Sequence, residues 1–222
     1  MPSRIGRALS SSVGTKLLIG LTGLALFAYL FLHLIGNALV FAGPEVFNDY
    51  SHALISNPLI VPIEIGLLLI FLLHIYKTVR MWIGNQQARP VKYAKKDWAG
   101  HTSRKSVSSS TMIVTGMVTL LFVLVHVKQF KYGAWYLVAD SDVRDLYRTE
   151  IEVFRQPLWV AFYVICTLVV GLHLRHGISS AFQSLGLDHP MYTRRLTMWA
   201  IIGAVVIGGG LAFIPVWVYF TQ

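Results

Sequence analysis

Residues 171–186 read Gly-Leu-His-Leu-Arg-His-Gly-Ile-Ser-Ser-Ala-Phe-Gln-Ser-Leu-Gly, and they close an apolar run that begins at Pro157. The run is long enough to cross a bilayer, and it contains His173. A histidine in hydrocarbon is costly and by default indicates a functional site. Three other apolar runs also contain a histidine, and these are His33, His74 and His126. Their relative positions determine how we interpret the chain.

The composition predicts an all-α integral membrane protein with a single membrane domain, residues 1–222. Hydrophobic residues make up 55% of the chain and charged residues only 13%, whereas a soluble domain has about a quarter charged residues. Runs of about 20 apolar residues match the thickness of the bilayer core, and the sequence lacks the short alternating segments of a transmembrane barrel. We predict a bundle of five transmembrane helices, spans I to V, at residues 16–42, 58–82, 108–132, 157–183 and 196–220.

The net charge of +9 comes from basic residues in the short segments between the spans. Their placement indicates membrane topology and contact with lipid headgroups, and it argues against a nucleic-acid partner. The N-terminus, the Gly84–Ser106 loop and the Arg194-Arg195 pair are basic and fall on one side, which the positive-inside rule makes cytoplasmic. We therefore expect a multi-pass protein of the cell inner membrane, with the N-terminus in the cytoplasm and the C-terminus outside.

The segments around the spans give further expectations. The first apolar run ends at Ala42 and is longer than the roughly 7–15 residues of a signal-peptide core, so we interpret it as a retained span. The polar segment Glu45–Asn57 predicts a loop, and the mixed charges of Lys128–Gln156 predict a short surface helix. Pro215 predicts a kink or an end in span V, and the single cysteine, Cys166, is expected to be a small core residue.

Counting residues at a helical rise of 1.5 Å places the four histidines at two depths. His74 and His173 each lie about 24 Å from the outer start of their spans, near the cytoplasmic face. His33 and His126 lie about 25 and 27 Å from the cytoplasmic start of theirs, near the outer face. The two levels differ by about 10–20 Å, which is too far for one metal ion with bonds of about 2 Å.

A single transmembrane histidine more often bonds a neighbouring helix or lines a polar path than binds a metal. Here, however, each of the two depths contains two imidazoles, and the two come from different helices. They match the axial ligands of two six-coordinate haems stacked across the membrane, which would form a path for electrons.

Residues near the histidines fit the binding of a flat macrocycle. Gly36 and Gly177 lie one helical turn after His33 and His173 and leave room for the ring edge, although small residues also serve helix packing. His176 is close enough in sequence to be the ligand in place of His173, or a partner of a haem propionate. The cations that could pair with propionates, or could simply extend to the lipid interface, are Lys77, Arg80 and Arg175 inside and Lys128 and Lys131 outside.

Three stretches carry a resemblance to a known family. They are Lys16-Leu-Leu-Ile-Gly-Leu-Thr-Gly23 leading to His33-Leu-Ile-Gly-Asn37, then Phe47-Asn-Asp-Tyr-Ser-His52, and most specifically His173 to Gly186. Over essentially all 222 residues the chain resembles the single-subunit di-haem cytochrome b anchor, of the b558 type, of succinate dehydrogenase and fumarate reductase. In that family one histidine from each of the first four spans binds haem b. The fourth lies in a His-x-x-x-Gly pattern, which selects His173 with Gly177 over His176.

The resemblance implies a subunit of succinate dehydrogenase, a succinate:quinone oxidoreductase of the respiratory chain and the tricarboxylic acid cycle. The succinate chemistry belongs to a flavoprotein partner with covalent FAD, and an iron–sulfur partner passes electrons to the anchor. The two haems b exchange these electrons with a membrane quinone, often menaquinone. The basic cytoplasmic face, including the Gly84–Ser106 loop, is then the expected docking surface, and ordinary positive-inside charge is the alternative explanation.

The expected quinone site lies near the outer haem, where a hydrogen-bond donor or proton carrier is needed. Glu64 is the clear acidic residue within a span, and Asn37, Tyr50 and His52 lie on the same side. Glu64 could equally be a hydrogen-bonded residue of the first turn of span II.

Two other functions remain open from the sequence. A di-haem cytochrome b could serve a hydrogenase or a formate dehydrogenase, with the same helices and a different soluble partner. A proton-coupled transporter could use buried histidines, although the sequence lacks the intramembrane acids and broken helices typical of one.

Overall fold

The computed structural model describes residues 4–88, 111–187 and 189–222. Within these ranges it contains five helices that are long and apolar enough to cross a membrane, and it contains no β-strand beyond an isolated bridge between Leu137 and Arg144. The predicted all-α fold class with five spans is confirmed. The predicted start of span III before residue 111, most of the basic loop at residues 84–106 and His101 lie outside the described residues.

The five spans have the following bounds. Span I is an α-helix from Ser12 to Ala38 that continues as a 3-10 helix over Leu39–Ala42. The others are span II (Ile60–Gln87), span III (Met112–Phe130), span IV (Pro157–Ser184) and span V (Thr193–Thr221). Span V continues through Pro215 without ending there. A short helix, Arg4–Ser10, precedes span I.

Local sequence explains where several helices begin. The Ser11 side chain accepts a hydrogen bond of 3.1 Å from the Gly14 backbone nitrogen and so caps span I. Pro157 stands in the first turn of span IV, where a missing N–H costs nothing. Span II has no buried residue, and its leucines and isoleucines face outward, as expected of a helix in contact with lipid.

Two short helices connect the spans at one end of the bundle. The predicted loop at residues 45–57 is largely helical, because Pro44 and Glu45 favour a helix start; helix A covers Pro44–Ile55 and buries Phe47. The expected short helix between spans III and IV is confirmed as helix B, Leu146–Phe154. We call this end of the bundle the outer end and the opposite end the inner end, after the predicted topology.

Asn48 joins helix A to helix B. Its Nδ2 donates to Asp145 Oδ1 at 2.9 Å, and its Oδ1 accepts from the Tyr147 backbone nitrogen at 2.9 Å. Both hydrogen bonds of this buried amide are therefore made across the two connections, as a buried amide requires. Asn48 therefore holds helices A and B together at the outer end of the bundle.

Span IV lies at the centre of the bundle. It packs closely on spans I, III and V, and span I also packs on span II. Spans IV and V approach through Gly171 and Gly208, where a Cβ atom on Gly208 would lie 2.9 Å from Gly171 Cα. Spans I and III, and likewise II and IV, lie on diagonals of the bundle, and in the described ranges the backbones of these diagonal pairs do not pack closely.

Candidate functional site

The outer histidine pair lies on one diagonal of the bundle. The rings of His33 and His126 meet edge to face, with centroids 5.7 Å apart and an interplanar angle of 86°. Tyr29 stacks on His33 at 5.5 Å, and Phe122 and Phe130 contact His126 at 5.8 and 5.3 Å. The two histidine rings therefore come into contact although their helices are not closely packed, and aromatic side chains surround them.

The inner histidine pair lies on the other diagonal. His173 in span IV is within electrostatic range of His74 in span II, and also of His176. The Thr22 Oγ1 atom of span I is 3.0 Å from His74 Nδ1, and the Thr115 Oγ1 atom of span III is 3.1 Å from His173 Nδ1. Each inner histidine therefore bonds a threonine of a neighbouring span, and the two rings lie within electrostatic range of each other.

At the outer level the donor set fits a bis-histidine haem. Axial bonds of about 2 Å hold the two imidazole nitrogens of one iron about 4 Å apart, and rings that face each other at 5.7 Å are compatible with that spacing. His126 Nδ1 is buried, and it has no hydrogen-bond partner among the described atoms. A structural zinc site would need four protein ligands, and the described residues contain no cluster of three or more His, Cys, Asp or Glu side chains.

The two glycines expected to make room for a macrocycle have different surroundings. Around Gly177 a Cβ atom would meet nothing within 4 Å, so the side of span IV one turn after His173 is open. Beside Gly36 the space is taken by Tyr50 of helix A, whose hydroxyl would lie 2.8 Å from a Cβ atom there. Helix A therefore folds back over the end of span I.

The basic residues expected near the haems lie at the two ends of the bundle. Arg80 and Arg175 are exposed at the inner end, and the Arg80 guanidinium lies 6.0 Å from the centre of the Tyr76 ring. Lys77 donates to the Leu9 carbonyl at 3.1 Å and so ties span II to the N-terminal helix. At the outer end, exposed Lys128 lines a cavity of about 550 Å³.

The residues proposed for quinone contact are only partly brought together. Glu64 forms an ion pair with Lys131, and Tyr29 lies within electrostatic range of both Glu64 and Tyr50. Asn37 instead turns onto its own helix, where its Nδ2 donates to the His33 carbonyl at 2.7 Å. His52 lies on the exposed side of helix A.

The sequence reasoning missed several side chains that contact the histidines. Tyr29 is four residues before His33, so helical spacing alone places it on the same face. Tyr163 is 6.0 Å from His126 between ring centres, and its hydroxyl donates to Gln129 Oε1 at 2.8 Å. Thr22 and Thr115 belong to spans other than those of the histidines they bond, so spacing along one helix does not reveal them.

Glu150 of helix B is a buried carboxyl at the outer end. Its residue surface is 3% exposed, and its Oε1 atom has no hydrogen-bond partner in the part of the chain that the structure describes. Burial raises the pKa of Glu150 to about 8, so the carboxyl is mainly protonated at neutral pH. It lies within electrostatic range of Tyr163, which contacts His126.

No protein-family model matches the chain, and no solved structure matches it. The chain is similar to the succinate dehydrogenase cytochrome b558 subunit of Bacillus subtilis (strain 168), with 22% identity over 176 residues. The aligned region covers 78% of this chain and 80% of the relative. At this identity the similarity supports the resemblance carried by the histidine-containing stretches, and it extends over most of the membrane domain.

Proposed function

We propose that this chain is the cytochrome b membrane anchor of a succinate:quinone oxidoreductase, with two haems b held at two depths of the bundle. The observation that carries the proposal is the arrangement of four histidines from four spans as two pairs: the rings of His33 and His126 are in contact, and His74 and His173 lie within electrostatic range of each other. The similarity to a succinate dehydrogenase cytochrome b558 subunit supports the choice of complex.

In this proposal His33 and His126 hold the outer haem, and His74 and His173 hold the inner haem. A haem bound by each pair would supply one-electron chemistry. The protein supplies the axial imidazoles, an apolar surround that excludes water, and the open side of span IV at Gly177. The side chains proposed to meet propionates are Arg80, Arg175, His176 and Lys128, because the first three follow the inner histidines towards the inner end and Lys128 follows His126 towards the outer end.

The two levels give the electrons a direction across the membrane. With the N-terminus in the cytoplasm, the inner pair lies at the side of a flavoprotein with FAD and an iron–sulfur partner. The outer pair lies beside Tyr29, which is within electrostatic range of Glu64, and a quinone would exchange two electrons and two protons there. The half-buried histidines would thus link a soluble donor to a membrane acceptor, and lipid would surround the exposed apolar faces of the spans.

Purification of the intact complex from membranes tests this function. We expect a reduced-minus-oxidised absorption spectrum of haem b, two haems per chain, and co-purification of a flavoprotein and an iron–sulfur protein with succinate-dependent quinone reduction. A colourless, fully folded preparation would contradict the haem sites. Co-purification of a hydrogenase or formate dehydrogenase subunit instead would keep the haems and reject the proposed complex.

A further inference from the structure

Spans I and III contain the same short pattern. Thr22-Gly23 is followed by nine residues and His33, and Thr115-Gly116 is followed by nine residues and His126. An aromatic residue precedes each histidine by four positions and contacts it: Tyr29 at 5.5 Å and Phe122 at 5.8 Å. The pattern Thr-Gly, aromatic, His therefore occurs twice, once in each of the two spans that run in the same direction.

The spacing places the threonine and the histidine of each pattern on one helix face. Eleven residues make about three turns of an α-helix, with a residual rotation of only about 20° and a rise of about 16 Å. Each of these spans therefore presents its own histidine to one haem level and a Thr-Gly pair to the other level.

Each Thr-Gly pair contacts the histidine of a neighbouring span. Besides the Thr22–His74 contact of 3.0 Å, a Cβ atom on Gly23 would lie 3.3 Å from His74 Cε1. In the same way Thr115 is 3.1 Å from His173 Nδ1, and a Cβ atom on Gly116 would lie 3.4 Å from His173 Cε1. In both pairs the threonine bonds the ring and the glycine leaves the space in which the ring lies.

The direction of the hydrogen bond follows from the other contacts of the threonines. Thr22 Oγ1 lies 2.6 Å from the Leu18 carbonyl oxygen, a distance at which a hydrogen must stand between the two oxygens. A carbonyl only accepts, so the Thr22 hydroxyl hydrogen points to its own helix and its oxygen accepts from His74. The Thr115 hydroxyl also has carbonyl acceptors on its own helix, Thr111 at 3.2 Å and Met112 at 3.1 Å, so we assign it the same direction.

We propose that Thr22 and Thr115 are positioning residues that hold His74 and His173 as Nδ1-protonated tautomers, with Nε2 left as the ligand of the inner haem iron. Both threonine side chains are buried, so water does not compete for the ring nitrogens. The proposal rests on the proposed function and extends it, because it states how the two inner imidazoles are oriented before the haem binds. Such partners fix the tautomer of a ligand histidine and raise its basicity.

Redox titration of the intact complex tests this role. Thr22→Val and Thr115→Val remove the hydroxyl acceptor while keeping the side-chain shape, and the Ile19 backbone remains as a second hydrogen-bond partner of His74. The imidazole is expected to become less basic, so ferric iron would be less stabilised. We expect the midpoint potential of one haem to rise in each variant, with a tenfold change in the oxidation equilibrium corresponding to about 59 mV. Thr22→Ser and Thr115→Ser restore the acceptor and are expected to return the wild-type potential.

Thr197→Val is the matched control, because the Thr197 hydroxyl donates at 3.0 Å to the Thr193 carbonyl within span V, away from both histidine pairs. It should leave both potentials unchanged. The proposal would be overturned if Thr22→Val and Thr115→Val both keep the wild-type potentials, or if Thr197→Val shifts a potential by the same amount as they do.

A second measurement does not depend on haem. In the full-length chain without haem, labelled in its histidine rings with ¹⁵N and placed in lipid bilayers, the NMR shifts report which ring nitrogen carries the proton. We expect His74 and His173 to be protonated at Nδ1, and one of them to change in each threonine-to-valine variant. Nε2-protonated inner histidines would refute the positioning role. If both inner histidines are protonated at Nδ1 but the chain never binds haem, the proposed function is wrong and the threonine–histidine hydrogen bonds are still supported.

Discussion

The imidazole rings of His33 and His126 meet edge to face with their centroids 5.7 Å apart, although the backbones of the two spans that carry them do not pack closely in the described ranges. Aromatic side chains fill the surrounding space on both helices. Polar rings that converge from opposite sides of an apolar bundle are costly unless they are used. The contact between His33 and His126 therefore provides a direct test of the proposed outer haem.

His126→Ala should remove the outer haem and leave the inner one, because His74 and His173 belong to other spans. The expected result is a fall from two haems to one per chain, measured as haem-to-protein ratio, with loss of one low-spin signal in electron paramagnetic resonance. His52→Ala is the control, since this exposed histidine of helix A should leave both haems in place. Retention of two haems by His126→Ala would exclude His126 as a ligand.

The sequence predicted the spans and the histidine depths because both depend on one helix at a time. An apolar run must satisfy its backbone groups internally and therefore forms a helix in the bilayer, and a constant rise converts residue number into depth. The same arithmetic would have found Tyr29, which shares a face with His33.

Contacts between spans could not be predicted in this way. Thr22 meets His74 only because span I packs on span II, and hydropathy does not specify which helices are neighbours. The polar sequence of helix A predicts a loop, whereas the structure forms a helix there. Helix A folds back over the end of span I and so places Tyr50 beside Gly36. These features depend on tertiary packing that a single sequence does not reveal.

Gly208→Ala and Gly209→Ala should change stability in opposite directions. At Gly208 the new methyl group would lie 2.9 Å from the Gly171 backbone, which cannot move without separating spans IV and V. At Gly209 it would meet nothing within 4 Å. We expect a loss of about 1–3 kcal/mol in the first variant and a gain of about 0.5–1 kcal/mol in the second. Thermal unfolding in detergent measures both, and equal midpoints would refute the close packing of the two glycines.

Glu150 should make the folded protein less stable as the pH rises. The pKa of its carboxyl is about 8 in the folded protein and 4.5 in the reference state, so between these values the folded chain binds a proton that the unfolded chain has lost. Its contribution to the free energy of unfolding therefore falls by about 1.4 kcal/mol per pH unit in that window. We expect Glu150→Gln to flatten the decrease of the thermal midpoint between pH 5.5 and 7.5.

Glu152 of the same helix provides the opposite control. Its carboxylate accepts from Tyr136 at 2.6 Å and from Arg148 at 2.9 Å, and these bonds lower its pKa. Its contribution is present above the unfolded pKa and is lost as the pH falls, so Glu152→Gln should affect the acidic side of the profile. Parallel profiles for Glu150→Gln and the unaltered protein would show that Glu150 is not buried in its neutral form.

Glu64→Gln should slow quinone turnover without loss of haem. Glu64 lies within electrostatic range of Tyr29, the residue that stacks on His33, so we expect it to exchange a proton at the proposed outer haem. A proton carrier commonly contributes a factor of about 10²–10⁴ to a rate. We expect succinate-dependent quinone reduction to fall by about 10²-fold, while succinate oxidation with a soluble artificial acceptor and the haem content stay unchanged.

Lys131→Met separates a proton-transfer role of Glu64 from its ion pair. Lys131 is the partner of Glu64, and both side chains are 43% exposed, so the pair contributes only about 0–1 kcal/mol to stability. If Glu64 serves only to hold Lys131, the Lys131→Met and Glu64→Gln variants will have the same turnover. If Glu64 carries protons, Lys131→Met will retain most of the quinone-linked activity that Glu64→Gln loses, because the Glu64 carboxylate remains within electrostatic range of Tyr29.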